Sequence, residues 1–200
     1  MLCEFILDRC DTITKKDLIT IGVYTVLYIV MISVAGMLSY MPIFVPLMAV
    51  LIPLLGAFPY LLFLTKVNKF GMVLIMGTAI GVLMLIGGMG SFTLPLALIT
   101  STLAELIIKS GRYKSAGKAA PACAVFHLWA IGNLLPFYVN NHYYAVLEER
   151  LGTAYTDTLR ALLPLWTLPV LIAVCFVSGL IGGFIAKTVS RKKLERAGIL

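Results

Sequence analysis

Nine residues over positions 127–144 carry much of the polar chemistry of this chain: His127, Trp129, Asn133, Tyr138, Asn140, Asn141, His142, Tyr143 and Tyr144. Asn133 sits inside an apolar run, roughly two helical turns from its end. A buried amide there needs a partner, from a neighbouring helix or from a ligand. Tyr138 and the Asn140-Asn141-His142 cap follow it. Together with Tyr40, the Gly87–Ser91 turn, Trp129 and Trp166, these residues are expected to line one outward-facing ligand pocket. The competing reading is contact between helices plus an aromatic belt at a membrane boundary.

Other chemistries find less support. His127 and His142 are about 22 Å apart on a continuous helix rising roughly 1.5 Å per residue, too far to share a metal ion. An axial role toward haem or a metal for either alone is a minor alternative. The four cysteines (Cys3, Cys10, Cys123, Cys175) show no metal spacing and read as reduced apolar filler. Gly111 to Ala119 looks like a phosphate loop, but its glycine spacing is wrong and Ala119 stands where Ser or Thr would bind magnesium. Glu148-Glu149-Arg150 resembles part of a membrane-protease signature, with Thr153 where that signature needs Arg. Gly90-Ser91-Phe92 lacks the Gly-x-Ser-Gly context of a serine intramembrane protease. No catalytic residue, metal or cofactor is assigned, and the chain is read as a non-enzyme. Glu105 is the one acid placed within a span, a functional candidate by its position. Lys109 follows at i+4, so the two read either as a structural ion pair or as a coupling site for a partner.

The chain that positions these groups has 200 residues, 60% hydrophobic and 12% charged. Apolar runs near 20 residues recur, which points to a polytopic helical membrane protein. The net charge of +7 does not indicate nucleic acid, because the cations sit in short blocks between apolar runs. Spans are expected over about 18–38, 41–65, 71–86, 92–108, 119–139 and 163–186. A short cytoplasmic arm, 1–14, precedes them. The second run contains Pro42, Pro46, Pro53 and Pro59 and reads as a kinked span. Over 140–162, Leu147, Leu151, Tyr155 and Leu159 recur every four residues. They suggest one or two amphipathic helices on the outer surface, broken near Gly152.

Lys109 to Lys118 holds four cations and no acid, which fixes that connection in the cytoplasm. With six spans and both termini cytoplasmic, only Arg150 and Arg160 lie outside, and the other 14 of 16 cations lie inside. Small residues on the first span, Gly22, Thr25, Ser33, Ala35 and Gly36, would let another helix approach closely.

Four segments resemble one family. They are Lys15-Lys16-Asp17-Leu18-Ile19-Thr20-Ile21-Gly22, the run Phe63 to Gly71, the run Ala104 to Ser115, and the ending Arg196-Ala197-Gly198-Ile199. In order and spacing they look like the small membrane proteins of the Trep_Strep family. That family is similar to substrate-binding S-components of energy-coupling factor (ECF) transporters. The resemblance implies a six-helix, all-α bundle in the bacterial cytoplasmic membrane that captures a vitamin-like trace nutrient from outside. It also implies a transmembrane T-component and two ABC ATPases as partners, with release inside by toppling in the bilayer. S-components use an Ala-x-x-x-Ala pattern on the first helix to dock their partner. Gly22 and Val26, with Thr25 beside them, occupy those positions here, and Val26 departs from the pattern. The alternatives from other classes are an intramembrane protease using Ser91, His127 or Glu148, and a non-transporting sensor or assembly subunit.

Overall fold

A computed structural model of the protein describes residues 13–88, 91–113 and 115–196. Most of the arm at 1–14 lies outside the described residues. So do Met89 and Gly90 of the turn named above, Lys114, and Ala197 onward in the family-like ending. The side chains of Asn141, of Lys187 and of the basic tail from 189 to 196 also lie outside them.

Among the described residues every regular element is helical. Helix α1 (Lys15–Leu38) starts on a capping box. The Asp17 carboxylate accepts from the Thr14 backbone N–H at 2.8 Å, and the Asp17 N–H reaches Thr14 Oγ1 at 3.4 Å. That exchange satisfies two donors that a helix start leaves open. Helix α2 (Phe44–Leu64) carries Pro53 and Pro59 in its interior and still runs to its end. Pro46 falls in its first turn, where a missing N–H costs little.

Helix α3 (Met72–Ile86) begins after Gly71, whose φ of 97° lies in the left-handed region, where only glycine is at ease. Helix α4 (Thr93–Ser110) returns from it. Beyond these come α5 (Ala116–His127), a 3-10 segment (Leu128–Asn133) and the single turn α6 (Pro136–Val139). Two short helices follow, α7 (Asn141–Leu151) and α8 (Thr153–Leu162), hinged at Gly152 with φ 87°. The last helix is α9 (Thr167–Arg196).

The fifth apolar run corrects the sequence reading. Over 119–139 the sequence suggests one helix, whereas the structure winds tighter after His127 and restarts at Pro136. Two residues explain the break. Pro136 has no N–H to offer the preceding turn. Gly132 lies hard against the start of α4: a Cβ there would stand 2.7 Å from Thr93 Cα.

Among the described residues, four helices are long and apolar enough to cross a membrane: Lys15–Leu38, Phe44–Leu64, Thr93–Ser110 and the Thr167–Ala186 part of α9. Helix α3 is a shorter apolar helix. The larger helices close into a ring. In order around it, α1 packs on α2, α2 on α9, α9 on α5, α5 on α4, α4 on α3, and α3 back on α1. Across the middle, α2 also touches α5.

The distribution of polarity is that of a membrane protein. Val23, Val26, Val30, Val34 and Met37 of α1 are exposed, as are Val177, Ile181 and Phe184 of α9. Thr25, Thr100, Ser101, Glu105, His127 and Ser178 are buried. An apolar exterior around a partly polar interior suits lipid, because hydrocarbon offers polar groups no hydrogen bonds. Close packing of α9 depends on glycine. A Cβ on Gly179 would stand 2.7 Å from Ala124 Cα of α5, and one on Gly182 would stand 2.9 Å from Ala57 Cβ of α2.

Candidate functional site

One end of the ring is basic and fastened. Lys69 Nζ meets Asp17 Oδ2 at 2.8 Å, tying the α2–α3 connection to α1. The fully buried Glu105 reaches across from α4 to the start of α3. Its Oε2 accepts from the N–H groups of Val73 at 2.8 Å and Leu74 at 3.2 Å. A carboxylate there neutralises both open donors and the positive end of the helix dipole. Its other oxygen accepts from the Tyr113 hydroxyl at 3.1 Å. Burial, with the Glu105 charge second, pushes the Tyr113 hydroxyl upward in pKa, so it remains a donor. This bond holds a turn in which Arg112 and Tyr113 both have positive φ, 51° and 58°, an unfavourable conformation for non-glycine residues.

The ion pair expected between Glu105 and Lys109 is not formed. Lys109 Nζ instead stands 4.7 Å over the ring of Phe70. Glu105 prefers the backbone donors because an aligned helix terminus is a fixed partner, whereas the lysine must be ordered. Three of the four segments noted for their family likeness therefore meet at this end: the start of α1, the α2–α3 connection and the end of α4.

A second constellation lies inside the ring. Tyr28 of α1, Tyr60 of α2, Phe126 and His127 of α5 and Trp129 of the 3-10 segment are all buried. Tyr60 stacks on Phe126 with centroids 4.3 Å apart. His127 lies 5.7 Å from both Tyr28 and Tyr60, ring to ring. Trp129 Nε1 donates to the Tyr28 hydroxyl at 3.0 Å. His127 Nδ1 stands 2.7 Å from the Cys123 carbonyl. A carbonyl only accepts, so Nδ1 carries the hydrogen and Nε2 of the neutral ring presents a lone pair. Nε2 lies against Gly56, where a Cβ would come within 2.6 Å of it. Among the described residues, two buried atoms of this cluster, His127 Nε2 and the Tyr60 hydroxyl, make no hydrogen bond. Interiors rarely leave such groups unpaired.

Several of the residues expected to form one outer pocket have partners within the protein. Asn133 Oδ1 accepts from Thr93 Oγ1 at 2.7 Å, and Tyr138 pairs with Thr167 at 2.7 Å. Asn140 caps α7 by accepting from the His142 N–H at 3.0 Å. His142 is exposed, and the Asn141 side chain lies outside the described residues. Tyr40 and Trp166 point away from the protein, 74% and 69% exposed. Trp129 lies with the buried rings around His127, against Tyr28. Of the three docking residues, Gly22 and Val26 face outward, but Thr25 is buried and its hydroxyl bonds to the Ile21 carbonyl. It belongs to the interior.

Tyr28, Gly56 and Tyr60 escaped sequence reasoning. The signal for the tyrosines was their depth: Tyr28 stands midway along an apolar run, not at a boundary where a belt residue belongs. Helices α7 and α8 cover the end of the ring opposite Glu105. Tyr155 of α8 donates to the Ser39 carbonyl at 2.7 Å, and Arg160 lies 5.0 Å over the Tyr144 ring. Leu159 is fully buried beneath them, in a cluster with Ile131 and Leu134 that follows directly on Trp129.

A family model described as a hypothetical bacterial integral membrane protein (Trep_Strep) matches residues 15–196. No curated protein and no solved structure matches the chain.

Proposed function

We propose, from the fact that the chain belongs to the Trep_Strep family of bacterial integral membrane proteins, that it is the substrate-binding component of an ECF-type importer. In this reading it crosses the cytoplasmic membrane six times, through α1, α2, α3, α4, the broken α5–α6 run, and α9. The Glu105 end is cytoplasmic, and α7 and α8 form an outer cover. A vitamin-like nutrient enters beneath that cover and is held near the buried His127 and Tyr60. A T-component and two ABC ATPases supply the work, since the chain carries no phosphate loop of its own. Gly22 and Val26 face outward, on a side where a partner helix could dock.

The observation that carries this reading is the pair of buried atoms, His127 Nε2 and Tyr60 OH, that make no hydrogen bond among the described residues. A packed structural core would lose stability by keeping them, because an unmet buried polar group costs roughly 1–3 kcal/mol. A binding site has reason to keep them. The inside-biased cations support the orientation.

Membrane vesicles holding the chain and ECF partners test it with a panel of labelled vitamins. ATP should drive accumulation of one panel member, and accumulation should vanish when the chain is omitted. Uptake of none, or uptake indifferent to the chain, would count against an importer.

A further inference from the structure

We infer that the basic end of the ring is a binding surface for anionic phospholipids, whose phosphates meet a cluster of lysines and arginines near the ends of α1, α2, α4 and α5. The surface goes beyond the importer reading and does not rest on it. It needs only a membrane-spanning ring with this end at a headgroup layer.

Three observations lead there. First, the fold draws the cations together. The Lys69–Asp17 contact at 2.8 Å sets the α2–α3 connection, with Lys66 in it, beside the start of α1 and its Lys15 and Lys16. Lys109 lies 4.7 Å over Phe70 of the same connection, which brings in the end of α4. Arg112 follows on the turn that Tyr113 ties to Glu105 at 3.1 Å. Lys118 lies against that turn: a Cβ on Gly111 would stand 3.0 Å from its Cγ. Lys15, Lys16, Lys66, Lys109, Arg112 and Lys118 are all exposed.

Second, the acids at this end are spent elsewhere. Among the described residues they are Asp17 and Glu105. Asp17 is taken by Lys69 and by the Thr14 N–H. Glu105 is buried against the N–H groups of Val73 and Leu74 and the Tyr113 hydroxyl. Glu148, Glu149 and Asp157 belong to the cover at the opposite end. Cations gathered without counter-charge raise the local potential and attract anions.

Third, the cations sit where the apolar exterior stops. Leu18 and Ile19 are exposed just after Lys15 and Lys16, and Leu103 and Leu106 just before Lys109. Phe70, beneath the Lys109 ammonium, is exposed as well. Acyl chains can lie on these side chains while the long Lys and Arg stems carry their charge to the phosphates. A cationic patch bordering a hydrocarbon face fits a molecule that has both parts, and an acidic protein supplies only one. Clusters of about four to eight such cations beside a membrane helix attract anionic lipid.

The test titrates phosphatidylglycerol, phosphatidylcholine, inorganic phosphate or polyglutamate into the purified full chain in uncharged detergent. The readouts are unfolding temperature and the lipid retained in native mass spectrometry. Phosphatidylglycerol should raise the unfolding temperature and stay bound, and the other three should not. Combining Lys16→Gln, Lys66→Gln and Arg112→Gln should weaken its binding by about fivefold for each cation removed. Arg150→Gln, exposed on the cover, should bind as the wild type does. Salt gives a second reading on the wild type that no folding defect can imitate: at about 1 M, where the Debye length is roughly 3 Å, binding should fall steeply. An equal response to phosphatidylcholine, binding indifferent to salt, or a triple variant that binds as tightly as the wild type would overturn the surface. A response to inorganic phosphate alone would make it a free-anion site, and a stronger response to polyglutamate an acidic-protein site; either result overturns the lipid.

Discussion

Glu105→Ala should lower the stability of the detergent-solubilised protein by roughly 2–4 kcal/mol, because it leaves one buried and one part-buried donor at the start of α3 unmet. The Val73 and Leu74 N–H groups and the Tyr113 hydroxyl all lose their acceptor at once. Helix α3 has no other side-chain cap, since Gly71 stands at its N-cap. Glu105→Gln keeps an acceptor oxygen and should lose less, about 1 kcal/mol, as a neutral bond replaces a charge-assisted one. Amide exchange at Val73 and Leu74 should quicken in Glu105→Ala. Lys109→Ala should behave independently: in a double-mutant cycle the coupling between the two sites should be near zero. Strong coupling would restore the ion pair suggested by their spacing and contradict the geometry.

The second large effect lies where α9 crosses α5. Gly179→Val should cost about 3 kcal/mol or more and reduce the yield of folded protein. The new Cβ would stand 2.7 Å from a backbone atom, Ala124 Cα, which cannot swing aside as a side-chain tip can. The helices must separate, and Gly182 and Gly183 would lose their close contacts on Ala57 and Ala120. Membrane helices gain little from hydrophobic association and depend on such close packing. Gly22→Val is the matching control: nothing lies within 4 Å of a Cβ there, so folding should be nearly unaffected. Unfolding temperatures and gel-filtration profiles of the two variants check the contrast.

Much of the helical architecture is legible in the sequence, because apolar length and turn chemistry are local properties. Gly152, where the sequence already breaks its amphipathic pattern, announces the hinge between α7 and α8. The break in the fifth run is not legible from periodicity. Its cause is partly remote: Gly132 must approach Thr93, a contact the local sequence does not display. Glu105 shows the same limit. Sequence spacing offers Lys109 as a partner four residues away. The partners it takes are backbone groups about thirty positions earlier, brought near only by the α3–α4 packing.

The candidate site divides in the same manner. His127 and Trp129 stand out in sequence as polar groups in an apolar run. Tyr28 and Tyr60 join them only once α1 and α2 are folded against α5. The outer amides and tyrosines stand out just as strongly, but folding pairs Asn133 with Thr93 and Tyr138 with Thr167. A polar residue in a membrane span must be satisfied, and its type alone does not say whether protein or ligand satisfies it.

The most direct measurement is mass spectrometry of small molecules released from gently extracted protein, comparing the wild type with Gly56→Ala. One compound should leave the wild type in near-stoichiometric amount and be depleted from folded Gly56→Ala, whose Cβ would crowd His127 Nε2. Wild-type protein that releases nothing above an empty-membrane control, or a variant that releases as much, would contradict a ligand site at this place.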